Sequence, residues 1–355
     1  MRYLGMDVHA KSTVWCLLDA QGERVREGKV ATDAAALAAL VRELATTGEV
    51  LAGQEVGTMT YLVHDALTAA GARVLSFNAY QLRMIAASRK KTDRRDAYWI
   101  ARALQADMYP HPVYIPSGEV RELRAVLSHR RLVQAERNRW RYRARAYLRA
   151  AGCTVPRGAA ALRTLLTEGG GAAGTSVPRL REALALCARQ EAALQLEVRR
   201  LDTALQSRIP AIPAITRLMT VPGIGVLAAT TIYAWVGDVQ RFPKAKALAA
   251  YAGLVPTVRQ SGTATGYGAI TKQGAKALRS TLVQAAHVLL SRCRKPEAAP
   301  LQAIGIRIRT SRGRRKVAVV AVARHLLRVA YYLLRDGTTY DPTRVHTETG
   351  TPTAA

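Results

Sequence analysis

Four acidic residues in the first hundred positions have the types and the spacing needed to bind divalent metal ions. Asp7 and Glu55 each follow a short apolar run, and Asp93 and Asp96 lie three positions apart. On a helix, residues at that spacing share one face. Carboxylates that converge repel one another unless a cation lies between them. Mg²⁺ or Mn²⁺ would supply that cation, because such ions take oxygen ligands and activate phosphodiester exchange.

The paired acids are flanked by positive charge, which suits a site that holds a phosphate backbone. The flanking residues are Lys90, Lys91, Arg94 and Arg95. An alternative interpretation needs no metal, because Asp93 and Asp96 would then cap a helix and pair with the neighbouring arginines. His9 lies two positions after Asp7 and could touch a metal or a substrate, although a supporting or solvent-exposed role is favoured.

Composition favours a polyanionic partner. The 355-residue chain has 53 Lys and Arg against 25 Asp and Glu, a formal net charge of +28 and a pI of about 10.8. Because the charge is spread along the whole chain, nucleic acid is a better candidate than a membrane surface. No apolar run approaches the roughly 20 residues that span a bilayer. The four cysteines form no CxxC motif, which disfavours zinc and disulfides and indicates the cytoplasm. Since nucleic acid is the expected partner, we expect association with the nucleoid there.

The segment 1–110 has the pattern of an α/β domain with RNase-H-like element order. Its predicted elements are strands at 3–8, 13–18 and 23–30, a helix capped by Thr32, a strand at 50–54, a helix at about 59–70 and a strand at 73–77. In that fold, acids at the ends of the first and fourth strands meet at the sheet. We therefore expect Asp7 and Glu55 to lie close together, with a later helix bringing the other two acids.

The segment 117–209 is predicted to be helical and to contact nucleic acid. Arginines crowd its first half and alternate with aromatic residues, a composition that favours phosphate binding. The candidates for phosphate contacts are Arg139, Arg141, Arg143 and Arg145.

The second half of this segment carries an apolar seam from Leu180 to Leu205. The apolar positions alternate at spacings of four and three, which is typical of a coiled coil, and Glu191 is the single polar interruption. The seam could pack on its own chain as a helical hairpin. It could equally pair with a second copy, which would make the protein a homo-oligomer, either a dimer or a tetramer.

Residues 213–336 are predicted to form a second compact domain. Gly223 and Gly225 lie in a short run that resembles the hairpin of helix-hairpin-helix modules, in which glycines bring backbone N–H groups close to DNA phosphate. A turn without a ligand is the alternative. The stretch 257–268 is expected to be a polar, Gly-rich loop, and the tail 338–355 is rich in Thr and Pro, which predicts disorder.

One serine in the Gly-rich loop could approach a phosphate. Ser261 lies between Gln260 and Gly262, and Arg259 and Lys272 could hold a phosphate group nearby. A serine between flexible residues is ordinarily part of a turn, and no His–Asp pair is placed to activate it as in hydrolases. Composition alone therefore favours the turn.

Seven short motifs occur in an order that resembles a known family. They are Gly5–Lys11, Glu55, Lys91–Ala97, Val221–Gly225, Gly253–Pro256, Gln260–Gly262 and Ile270–Gly274. Together they resemble the DEDD-type insertion-sequence transposases of the bridge-RNA-guided recombinase family, from Arg2 to about Asp336. The resemblance implies a RuvC-like N-terminal domain, a helical coiled-coil linker and a mainly α C-terminal transposase domain.

The same resemblance implies roles for particular residues. Asp7, Glu55, Asp93 and Asp96 would be metal ligands, and Ser261 would be the nucleophile that joins covalently to a DNA 5′ phosphate. Double-stranded donor and target DNA and a structured non-coding RNA would be the partners, and Mg²⁺ or Mn²⁺ the cofactor.

Three other classes of protein share parts of this pattern. A metal-dependent nuclease or Holliday-junction resolvase would use water in place of Ser261. An architectural nucleic-acid-binding protein would carry an inactive site. An actin-like ATPase fits least well, because no Gly-rich phosphate loop follows a later strand.

Overall fold

A computed structural model of the chain describes residues 1–85, 92–155, 157–158, 160–162, 164, 178–261 and 264–347. Within it the chain divides into two compact units, Met1–Ile115 and Pro116–Ala355. Both the predicted helical linker and the predicted C-terminal domain fall in the second unit, and the boundary between those two segments stays a prediction.

A five-stranded mixed sheet forms the first unit. Its strands are β1 (Arg2–Val8), β2 (Ser12–Leu18), β3 (Arg24–Ala31), β4 (Val50–Glu55) and β5 (Arg73–Phe77), in the order β3-β2-β1-β4-β5. The first three strands pair antiparallel, and β4 runs parallel to both β1 and β5. This order confirms the predicted α/β fold with RNase-H-like topology.

Helices cover both faces of this sheet. They are α1 (Ala34–Ala45), α2 (Thr60–Ala69), α3 (Ala79–Ile85) and α4 (Asp93–Gln105). Leu4 and Met6 of β1 are fully buried in the core that β1 and β4 share with α1 and α2. The predicted cap of α1 is wrong by one position, because the Asp33 carboxylate accepts the hydrogen bond from the backbone N–H of Ala36. The hydroxyl of Thr32 is instead hydrogen-bonded to that of Thr13.

Two long helices begin the second unit as an antiparallel hairpin. They are α5 (Gly118–Ala150) and α6 (Pro178–Gln206). Leu184 and Cys187 of the seam are buried in a cluster with Ala144 and Leu148 of α5. The seam is therefore occupied by the chain's own α5, as the hairpin alternative predicts. Pairing of this seam with a second copy stays a prediction.

The rest of the second unit is mainly helical, with one β-hairpin. Its elements are α7 (Pro213–Met219), α8 (Val226–Val236), α9 (Ala245–Tyr251), β6 (Pro256–Ser261), β7 (Ala264–Ile270), α10 (Lys276–Ser291), α11 (Ala299–Arg312), α12 (Arg315–Asp336) and α13 (Arg344–Thr347). The loop predicted at 257–268 is wrong for most of its length, because β6 and β7 pair antiparallel across it. The high glycine content of this segment predicts a loop, although the segment forms two paired strands.

The predicted disorder of the tail is wrong as far as Thr347. The phenol of Tyr340 donates to the Glu297 carbonyl, its backbone N–H donates to the Thr220 hydroxyl, and Val345 is buried in the core of this unit. These few apolar and aromatic groups anchor a segment whose composition is otherwise polar. Residues 348–355 lie outside the described part of the chain.

Helix α12 is long and apolar enough, by length and composition, to cross a membrane. Half of its most apolar window is buried within the chain, and Val322, Leu326 and Leu327 are fully buried in the core. That position is typical of a core helix.

Candidate metal centre and nucleic-acid contacts

The sheet brings Asp7 and Glu55 to the same edge and the same face. Side chains alternate along a strand, so Asp7 shares the face of Gly5, and Glu55 shares the face of Gly53. The two glycines are directly paired between β1 and β4. Each acid therefore lies two residues beyond this pair, at the carboxyl end of its strand and in a half-buried position.

Helix α4 packs against this face unusually closely. A Cβ atom added to Gly5 would lie 2.0 Å from the carbonyl oxygen of Ala97, and one added to Gly53 would lie 2.8 Å from a side-chain carbon of Ile100. Only glycine leaves room for a helix backbone at that distance. The first turn of α4 then begins beside the end of β1. Thr92 caps it by accepting a hydrogen bond from the backbone N–H of Arg95.

Three side chains converge where β1 ends and α4 begins. Nε2 of His9 lies 3.2 Å from Oδ2 of Asp7 and 3.4 Å from Oδ2 of Asp93. One potential ligand atom from each residue lies within 4.8 Å of the other two. Two carboxylate oxygens and an imidazole nitrogen at this separation are a suitable donor set for a divalent cation.

The electrostatics of Asp7 also favour a bound cation. Burial raises the pKa of the Asp7 carboxyl group, and the neighbouring carboxylates of Asp93 and Asp96 raise it further, while His9 opposes the shift. Ionisation of Asp7 therefore costs more free energy than ionisation of a fully solvated carboxyl group. A divalent cation would offset both the burial and the repulsion, so these residues fit the metal that a DEDD set implies.

Not every predicted ligand joins the cluster. Asp96 influences Asp7 electrostatically, but neither Asp96 nor Glu55 belongs to the three-residue group found among the described side chains. The sequence predicts only a supporting role for His9, although its imidazole contacts both carboxylates of the group. The feature of the sequence that indicates this contact is the position of His9, two residues after Asp7 at the end of β1.

The cations predicted to flank the acids are only partly described. Arg94 is exposed and lies 3.9 Å from Glu27, and Arg95 is exposed in the first turn of α4. Lys90 and Lys91 lie outside the described residues.

The predicted phosphate contacts on α5 differ in their surroundings. Arg141 forms a 2.7 Å ion pair with the buried Glu191 of α6 and is itself mostly buried. Arg139 is exposed and pairs with Glu136 on its own helix. The guanidinium of Arg143 stacks over the ring of Trp140, and Arg145 donates to the Arg157 carbonyl.

The glycine-containing turn joins α7 to α8, as in a helix-hairpin-helix arrangement. Val221 and Ile224 anchor it in the core, and Gly223 has a φ of 85°, a conformation that favours glycine. A side chain at Gly223 would also press on α10, whereas Gly225 is exposed with open space around its Cα. The turn thus leaves backbone accessible at the start of α8.

The predicted nucleophile lies at the tip of the β-hairpin. Ser261 is the last residue of β6 and pairs with Ala264, the first residue of β7. The side chains of Ser261 and Arg259 lie outside the described part of the structure. Lys272 follows β7, is exposed, and has a φ of 56°, which is uncommon for a residue other than glycine.

Two family models match the chain. The first covers nearly all of the first unit and the beginning of the second, and the other lies within the second unit. A model described as "Transposase", built on DEDD transposases of IS110, matches residues 4–152. A second model, described as "Transposase IS116/IS110/IS902 family", matches residues 215–302.

Curated relatives agree with these matches. An insertion element IS110 uncharacterized 43.6 kDa protein of Streptomyces coelicolor is 30% identical over 50% of this chain and 41% of its own length. A protein of Sinorhizobium fredii, y4pF/y4sB, whose name only suggests a transposase, is 27% identical over 76% of this chain and 70% of its own. A pilin gene-inverting protein of Moraxella lacunata is 35% identical over 36% of this chain and 39% of its own.

The chain therefore spans about two fifths of the length of the Streptomyces and Moraxella proteins that it matches. The residues that the two family models match nevertheless include parts of both units. Residues 4–152 are therefore similar to the DEDD transposases of IS110, and residues 215–302 to the IS116/IS110/IS902 family of transposases.

Proposed function

We propose that this protein recombines DNA by metal-dependent strand exchange through a covalent phosphoserine intermediate. Asp7, Glu55, Asp93 and Asp96 would hold Mg²⁺ or Mn²⁺, and Ser261 would be the nucleophile. The observation that carries the proposal is the convergence of Asp7, His9 and Asp93 at the end of β1, under the first turn of α4.

The bound metal would neutralise non-bridging phosphate oxygens and stabilise the leaving oxygen. The chain's own residues prepare that site. Gly5 and Gly53 fix α4 against the sheet, and α4 in turn holds Asp93 and Asp96 beside Asp7. His9 contacts the carboxylates of Asp7 on β1 and Asp93 on α4, which would keep both in one orientation.

The serine step conserves a phosphodiester bond. The Ser261 oxygen would attack phosphorus and lose its proton to solvent, while the bond to the 3′ oxygen breaks and releases a 3′-hydroxyl. A 3′-hydroxyl of a second strand would then displace the serine and restore the phosphodiester. The name of the Moraxella relative, a pilin gene-inverting protein, supports recombination of this conservative kind.

A resolvase-like nuclease is the second candidate. The Asp7–His9–Asp93 group could activate water without any serine, and this group is the feature that favours it. In that case Ser261 would only be a turn residue at the hairpin tip.

The partners that we propose are donor and target DNA, a structured guide RNA and further copies of this chain. The net charge of +28 supports polyanionic partners. The Leu180–Leu205 seam packs on α5 within the chain, and its pairing with a second copy remains part of this proposal. The four cysteines are free, which agrees with the expected cytoplasmic location.

The test uses a plasmid that carries the gene with its flanking DNA, and it counts recombined junctions in cells. Asp7→Asn, Glu55→Gln, Asp93→Asn and Asp96→Asn should each lower junction formation by roughly a thousandfold or more, because each removes charge from a metal site. Asp33→Asn is the matched control, since asparagine caps a helix as well as aspartate does. Full activity in any two of the site variants would rule out the metal assignment.

A further inference from the structure

The second unit contains a cavity of about 1100 Å³ between α9, β7 and α12. Seven cations line it, and we call it the basic groove. Five of them, all exposed, form what we call its rim: Lys244, Lys246, Lys272, Lys316 and Arg324. The other two are Arg328 and Arg335, and none of the described residues that line the groove is acidic. The groove therefore presents positive charge to anything that enters it.

The floor of the basic groove is apolar. Leu254, Ile270, Val317 and Val320 contribute aliphatic side chains to it. One end is aromatic, because Tyr332 also lines the groove and the guanidinium of Arg335 stacks 4.8 Å from the centre of its ring. A ligand that fits must combine negative charge with flat or apolar surface.

The rim cations of the groove are not neutralised by ion pairs, since in the part of the chain that the structure describes no ion pair joins any of the five to an acid. Arg335, in contrast, pairs with Asp336. His325, which also lines the groove, has its pKa lowered to about 4 by burial and by Arg328, Arg324 and Arg307. The imidazole is thus neutral at physiological pH. The electrostatic potential around it is positive, which favours a bound anion.

We propose that the basic groove binds a single-stranded segment of nucleic acid, with phosphates on the rim cations and bases on the apolar floor and Tyr332. Single-stranded nucleic acid combines negatively charged phosphates with flat bases, and its unpaired bases stack on aromatic rings and arginine planes. A duplex keeps its bases stacked inside and would leave the apolar floor uncovered. This inference rests on the proposed function, in which strands must separate before they are exchanged.

The β-hairpin connects the groove to the predicted nucleophile. Pro256 and Ile270 at the base of the hairpin line the groove, and Ser261 ends β6 five residues beyond Pro256. At about 3.3 Å per residue, this is a distance of about 17 Å along the strand. A strand held in the groove would therefore lie within about one hairpin length of Ser261.

The experiment measures binding of fluorescein-labelled dT12 and of a 12-base-pair duplex to the full chain by anisotropy at several salt concentrations. All proteins carry Asp7→Asn, so that no strand is cut. Lys244→Glu with Lys246→Glu and Lys316→Glu should weaken dT12 binding at least tenfold. It should also flatten the salt slope by about 2, because each single-strand phosphate contact contributes about 0.7. The matched control replaces three exposed cations that do not line the groove, Arg292, Arg294 and Lys295, with Glu.

A second pair of variants tests the stacking. Tyr332→Leu should weaken dT12 binding by about fivefold or more, while Tyr332→Phe retains it. The proposal is overturned if the groove variant binds dT12 as the control does, or if its loss is equal for the duplex. It is also overturned if polyglutamate displaces dT12 as well as unlabelled dT12 does, because an acidic peptide has no bases.

This outcome is separable from that of the proposed function. Adduct formation at Ser261 is measured on protein with Asp7 intact. A missing adduct contradicts the serine mechanism whatever the anisotropy shows, and unchanged dT12 binding contradicts the groove whatever the adduct shows.

Discussion

A methyl group added at Gly5 would lie 2.0 Å from the backbone carbonyl oxygen of Ala97, so β1 and α4 touch through a position that only glycine can fill. This contact sets the height of α4 above the sheet. The first turn of α4 carries Asp93 and Asp96, and the end of β1 carries Asp7. The packing of one glycine therefore determines whether the acids meet.

Gly5→Ala should separate the acids without removing any of them. We expect the free energy of unfolding to fall by about 1–3 kcal/mol, as in other overpacked cores, and Mn²⁺ affinity to fall with it. Gly118→Ala is the control, because no atom lies within 4 Å of a side chain there. Denaturant unfolding and Mn²⁺ titration check both effects. Unchanged Mn²⁺ affinity in a folded Gly5→Ala protein would contradict this role for the contact.

His9→Ala should weaken Mn²⁺ binding by about tenfold or more, because His9 contacts two of the carboxylates in the cluster. Calorimetric titration of the wild-type and variant proteins measures the change. His111→Ala removes an exposed histidine of the same unit and should leave Mn²⁺ affinity as it is. Equal affinities in all three proteins would return His9 to a solvent role.

The sequence predicted the sheet order, and it predicted that a later helix would bring acids to Asp7, of which Asp93 lies in the group with Asp7. The sequence predicts only a supporting role for His9, because the hydrophobic pattern does not show which exposed polar side chain lies against the acids. The seam of α6 shows a different limit. A four-three apolar repeat identifies the buried face of a helix, but the partner helix, here α5, can be decided only by tertiary packing. At β6 and β7, the high glycine content predicts a loop, and the pairing of the two strands could not be inferred from composition.

Glu191 should be more important for stability than for nucleic-acid binding. Its Oε1 atom lies 2.9 Å from the guanidinium of Arg137 and 2.7 Å from that of Arg141, and its side chain is 4% exposed. Glu191→Gln removes the charge that both arginines share, so we expect unfolding to become easier by about 3 kcal/mol. Glu182→Gln, at an exposed position of α6, is the control. Thermal and denaturant unfolding would show equal stability in both variants if the buried pair contributes nothing.

Stability should fall in acid because of His325. Its pKa is lowered to about 4 in the folded chain, chiefly by burial, whereas an unfolded histidine has its ordinary value of 6.5. Between these values the unfolded state binds more protons, so stability is lost as pH falls from about 6.5 to about 4, by up to about 3 kcal/mol. His325→Gln should flatten this part of the profile, and His129→Gln should not. A profile of the same slope in all three proteins would exclude His325 as the cause.

The most direct measurement is the trapping of a covalent intermediate on nicked DNA. Wild-type protein with Mg²⁺ should form a protein–DNA adduct that maps to the peptide containing Ser261, and the adduct should be absent in Ser261→Ala and in Asp7→Asn. Ser280→Ala, which changes a serine bonded within α10, should form it normally. An adduct at another residue, or efficient recombination by Ser261→Ala, would contradict the serine mechanism and leave the nuclease that uses water.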